Sequence, residues 1–118
     1  MRAAWALAVL AAASPALAQQ RPPAARQALV ALSRVLGGSH AIRRACESTD
    51  DQFWRGRMQR LLDVENPDPT LKTQISVAFN DAYNAGRALY PKCNALARAE
   101  ARRIARAGRT LSDRLEQP

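Results

Sequence analysis

An all-α fold is predicted by three features of this 118-residue chain. Apolar residues recur at steps of three and four along most of its length. Glycine and proline clusters divide those stretches at helix-sized intervals. No stretch shows the period-two alternation with β-branched enrichment that marks a strand. The expectation is a small bundle of four to five helices, closed by one disulfide between Cys46 and Cys93 and preceded by an export leader.

The leader comes first. Arg2 supplies a positive start, Ala3 to Ala13 form an apolar run, and Ser14-Pro15 break it, because proline lacks the amide hydrogen that a helix interior needs. Ala16 and Ala18 then place small side chains at the two positions a signal peptidase inspects. A membrane-spanning helix needs roughly 20 apolar residues, about twice this run, so the segment reads as cleavable. Residues 1–18 are thus expected to be removed, with 19–25 a flexible proline-rich entry segment and 26–118 a single helical domain. No other stretch approaches transmembrane length. The expected location is periplasmic.

From about Arg26, Leu29, Leu32, Val35 and Leu36 give a helical rhythm that Gly37-Gly38 is expected to end, since glycine accepts the left-handed conformation favoured at helix C-termini. Ser39 is expected to cap a short second helix through His40 to Cys46, with Ile42 as its apolar contact. Ser48, Thr49 and Asp50 offer caps for a third, with Asp51 at its positively polarised start. Its apolar face is Trp54, Met58, Leu61 and Leu62. Asn66-Pro67-Asp68-Pro69 predicts a turn, then Asp68 as cap and Pro69 at the first helical position. A fourth helix carries Leu71, Ile75, Phe79, Ala82, Tyr83, Gly86 and Leu89, and stops before Pro91. Asn94 can cap a fifth, whose apolar or small positions are Ala97, Ala101, Ile104, Gly108, Leu111 and Leu115.

Export changes the meaning of the cysteines. In an oxidising compartment an isolated pair reads as a disulfide. A Cys-x-x-Cys redox motif is absent, and two separated cysteines with the single His40 do not make the usual zinc ligand set. No cofactor is expected.

Charge is the other distinctive feature. The chain holds 18 Lys and Arg against 10 Asp and Glu, a net charge of +8. The leader contains Arg2 and no acid, so its loss leaves +7. All the basic residues except Lys72 and Lys92 are arginine, which suits bidentate contact with planar anions. A GC-rich genome would produce the same bias, and both readings fit. On the last helix Arg98, Arg102, Arg106 and Arg109 share a face, with Arg103 and Arg114 beside it. This stripe is the candidate surface for an anionic envelope component or an acidic protein; as a solvated helix face it needs no partner at all. Export argues against nucleic acid, and no recognised nucleic-acid module is present.

Catalytic constellations are weak. Ser39 and His40 are neighbours on a helix and point about 100° apart, so they read as a cap and a surface histidine. Glu47, Asp50 and Asp51 lack calcium-loop spacing. Asp63 and Glu65 point to different sides of one helix, which does not make a glycosidase pair. Trp54, Phe79 and Tyr83 lie on apolar faces and read as core, while Tyr90 stands beside the disulfide.

The segments LGGSHAIRRAC (36–46), DDQFWRGRMQRLLDVENPD (50–68), AFNDAY (78–83) and YPKC (90–93) together resemble DUF2385, a family of small exported alphaproteobacterial proteins. The resemblance runs from about Ala28 to Arg109 and places both cysteines in the family's positions. It implies a leader and a single domain, and carries no activity. The functional expectation is therefore a non-enzymatic binding or structural protein of the cell envelope. One alternative is a periplasmic chaperone, by analogy with small acid-stress chaperones built as one helical domain with one disulfide. A second is an enzyme with an unrecognised carboxylate site.

Overall fold

The structure, a computed structural model, describes residues 21–117 and is built of four helices. They are α1 (Pro23–Cys46), α2 (Phe53–Glu65), α3 (Pro69–Leu89) and α4 (Ala95–Glu116). No strand occurs among the described residues. The expected leader and its cleavage residues Ala16 and Ala18 lie outside them.

Helix α1 is the hub: α2, α3 and α4 each pack against it. It starts at Pro23, inside the segment expected to be a flexible entry, with proline at the first position, where a missing amide hydrogen costs nothing. It then runs unbroken to Cys46, so the two short helices expected on either side of Gly37-Gly38 are one. No described glycine adopts positive φ, and the chain reverses instead at Asn66 (φ 41°, ψ 57°), which ends α2. Gly37 and Gly86 serve tertiary contact. A Cβ on Gly37 would lie 2.1 Å from the Phe79 carbonyl oxygen, and one on Gly86 would lie 2.7 Å from the Ala41 Cβ. α1 and α3 therefore meet nearly backbone to backbone, with Ser33, Gly37 and Ala41 buried along the α1 side of the seam.

The helix starts follow local chemistry. Asp68 Oδ1 accepts from the Leu71 amide at 2.9 Å, and Asn94 Oδ1 from the Ala97 amide at 2.8 Å, satisfying donors that no helical carbonyl can reach. At α2 the oxygen comes from Asp51, which accepts from the Phe53 amide at 3.1 Å. Of the residues read as caps there, Ser48 instead accepts from the Asp50 amide in the preceding turn.

The core consists of Leu29, Leu36, Met58, Leu71, Ile75 and Phe79, with Val30, Trp54, Leu61, Leu62 and Leu115 packed against it. Full burial of one such side chain stabilises the fold by roughly 1.5–3 kcal/mol. One end of the bundle is closed by charge. Arg21 donates to both carboxylate oxygens of Glu65, at 2.9 and 2.7 Å, and to the Leu115 carbonyl at 3.0 Å. Arg26 pairs with Asp68, the same carboxylate that caps α3. The other end is closed covalently by Cys46–Cys93, with an S–S distance of 2.07 Å and Cα atoms 4.7 Å apart. Its sequence separation of 47 corresponds to about 4 kcal/mol of chain-entropy stabilisation.

Candidate anion-binding face

Two classes of arginine occur on this molecule. The first is committed to carboxylates, carbonyls or rings. Arg21 and Arg26 hold α2, α3 and α4 to the start of α1. Arg43 donates Nε to Asp51 Oδ2 at 2.8 Å and stacks over Phe53 at 4.7 Å. Arg44 donates to the Thr49 carbonyl and the Tyr83 hydroxyl. Arg57 lies over Phe53 at 4.9 Å and Arg87 over Tyr83 at 5.7 Å. Arg43 and Arg44 also stand in the last turn of α1, where positive charge meets the negative end of the helix dipole.

The second class has no ion-pair, side-chain hydrogen-bond or ring partner among the described residues; Arg34, Arg55 and Arg60 are scattered over α1 and α2, and the rest are grouped on α4. Asn94 starts this helix so that Ala97 and Gly108 are buried against α1, Ala101, Ile104, Leu111 and Leu115 are half-buried, and Arg98, Arg102, Arg106 and Arg109 are exposed. None of these four is in an ion pair among the described residues. Arg103 differs, pairing with Glu100 three residues back. The predicted stripe is thus placed on one open face, but only part of it faces a cavity. Arg98 and Arg102 join Ser39, Ile42, Arg43, Cys46, Glu47, Trp54 and Ala101 around a volume of about 320 Å³ between α1, α2 and α4. Arg106 and Arg109 lie outside that lining.

The cavity stands beside the disulfide, because Cys46–Cys93 brings the end of α1 to the start of α4. Sequence reasoning found Arg98 and Arg102 but missed their partners. Arg43 and Trp54 belong to other helices, and the meeting depends on how those helices cross. The half-buried state of Trp54, which both packs on the core and lines the cavity, agrees with its place on the apolar face of α2.

Ser39 and His40 are the clearest departure from expectation. They lie in mid-helix, 5% and 2% exposed, so neither is a cap or a surface group. His40 stacks on Phe79 and Tyr83, with ring centroids 5.8 and 4.9 Å away. Burial, then the positive charges of Arg44 and Arg55, push its pKa below the usual histidine value, against a weaker opposing pull from Asp51. Its Nδ1 is buried with no hydrogen-bond partner in the structure. A histidine on the face shared with Ser33 and Gly37 was the available signal; the expectation of a helix break at Gly37-Gly38 hid it.

Three carboxylates are held ionised by structural partners. Asp68 is held down to about 2 by its bond to Arg26 and by the Leu71 amide. Glu100 is held below its usual range by Arg103. For Asp51, burial opposes ionisation, but the Phe53 amide and Arg43 outweigh it and lower its pKa. Among the described residues no three metal-ligating side chains are grouped together, and no helix is long and apolar enough to cross a membrane.

A family model described as a protein of unknown function (DUF2385) matches residues 25–118. No curated protein and no solved structure matches the chain.

Proposed function

We propose a function for this chain, which belongs to the DUF2385 family of proteins of unknown function: it is an exported helical binding protein that holds an anionic component of the cell envelope on its α4 face. The observation that carries this reading is the contrast between committed and free arginines. Arg98, Arg102, Arg106 and Arg109 are exposed on one helix face without internal carboxylates to neutralise them. Clustered unpaired guanidinium groups attract anions and repel one another, so the arrangement gains most when a partner supplies the missing negative charge. The apolar side of α4 is turned to the bundle, which favours attachment to a charged surface over insertion into lipid. Export rests on the sequence of residues 1–18, and in the periplasm such surfaces are at hand.

The test has two parts. Cell fractionation and the mass of the recovered protein should find it in the periplasm, beginning near Gln19. The recovered protein should sediment with vesicles rich in anionic phospholipid, release at high salt, and ignore zwitterionic vesicles. The variant R98Q/R102Q/R106Q/R109Q should lose this behaviour. Retention in the cytosol, or equal binding by the variant, overturns the reading. Salt-sensitive capture of an acidic protein in place of lipid would also overturn it, by naming a different class of partner.

A further inference from the structure

We infer that the cavity bounded by Arg43, Arg98, Arg102 and Trp54 is a binding site for a phosphate group, either free or as the monoester head of a larger molecule. The inference rests on the reading of the α4 face as anion-binding, and gives it a defined seat. Three arginines and one glutamate, Glu47, line the volume, and because Arg43 is already paired with Asp51 the local excess is one positive charge. A phosphate monoester presents three strong acceptor oxygens, one for each arginine of the lining. A carboxylate has only two oxygens to share among the same three arginines.

The donors are arranged for the task. Arg98 and Arg102 sit one turn apart on α4, so both heads can reach the same volume from one wall. Arg43 approaches from α1, its guanidinium held by the Nε bond to Asp51 and by the face of Phe53. That anchoring reduces the entropy lost when an anion is bound. Ser39, only 5% exposed, is the most buried polar residue of the lining. Trp54, Ile42 and Ala101 form an apolar wall suited to the carbon body of an ester. At about 320 Å³ the volume lies at the small end of ligand pockets and suits a headgroup more than a polymer.

Calorimetric titration of the protein recovered from cells, with inorganic phosphate and with glycerol phosphate, tests the site. Saturable binding at one site per chain is expected, with a change in the fluorescence of Trp54. R98Q and R102Q should each weaken binding about tenfold, the loss of one charge-assisted hydrogen-bonding group. R106Q/R109Q should change it less than about twofold, and E47Q should tighten it. The four arginines and Glu47 are exposed, so melting curves matching the parent show that their variants fold. A parallel arm uses vesicles containing phosphatidate. Sensitivity to R98Q and R102Q in the vesicle arm alone assigns the phosphate to a lipid headgroup, and sensitivity in both arms assigns it to soluble esters as well. The site is overturned if neither arm binds, or if R106Q/R109Q weakens binding as much as R98Q/R102Q. The latter result leaves a diffuse basic face and the envelope function intact, whereas phosphate binding by a protein found in the cytosol would retain the site and remove that function.

Discussion

Helices α3 and α4 flank the same central helix in two different ways. Against α3, the α1 backbone comes so near that Gly37 has no room for a methyl group, and the seam buries Ile75, Ala78 and Phe79 with His40 stacked beside them. Against α4, contact runs through side chains. Only Ala97 and Gly108 of α4 are buried, and a Cβ on Gly108 would meet a Val35 methyl at 2.9 Å, not backbone. The first seam specifies the fold. The second attaches a helix whose outer face is left free for other work. Such a division lets a surface carry unpaired charge without compromising the packing that keeps the chain folded.

The largest effect should come from cutting the covalent tie between α1 and the start of α4. C46S/C93S is expected to lower stability by about 4 kcal/mol in the chain-entropy model, seen as a fall of many degrees in the calorimetric melting temperature. A melt unchanged by the double substitution would show that the second seam holds without its tie. Next comes the contrast between glycines. G37A should cost about 3 kcal/mol, the upper end of ordinary overpacking penalties, because a carbonyl oxygen cannot rotate away. G108A should stay within about 1 kcal/mol of the parent, since Val35 can shift and alanine favours the helix. Equal denaturant midpoints for the two variants would erase the distinction between the seams.

A smaller effect belongs to His40. Its folded pKa lies below the unfolded value of 6.5, so its neutral form contributes stability that is complete above that pH and is lost as pH falls from 6.5 toward the folded value. H40Q should flatten the dependence of melting temperature on pH in that window. A slope that survives the substitution would place the titrating group elsewhere. Smallest of all, R98Q/R102Q/R106Q/R109Q should alter stability by no more than about 0.5 kcal/mol per site, checked by chemical denaturation. A large loss would mean that α4 arginines hold the bundle after all.

Features governed by neighbours in sequence were legible beforehand. Asp68 before Pro69 and Asn94 before α4 cap the helices they were expected to cap, and the cysteines pair as export chemistry suggested. Each depends on a few consecutive residues or on a count. Gly37-Gly38 was misread because a double glycine satisfies two physical demands. It can end a helix by turning left-handed, or admit another backbone, and only the partner helix decides. The spacing of Ser33, Gly37 and Ala41, one small residue per turn, was the trace of the second demand. Burial of Ser39 and His40 followed from the same choice. On α4 the free face was legible from its arginine spacing, while the cavity was not, because Arg43 comes from a helix that periodicity alone cannot orient toward α4.

The disulfide also gives the molecule a covalent topology of its own. It closes a ring that contains the whole of α2 and α3, while α1 enters as one tail and α4 leaves as the other. A single backbone cut in the turn at Asn66–Asp68 would therefore open the ring without dividing the molecule. The nicked protein would keep both fragments joined at Cys46 and Cys93 until reduced. Under the proposed export the chain would meet proteases outside the cytosol, and this connectivity turns a first cleavage in the turn between its middle helices into a change of shape, not a loss of parts.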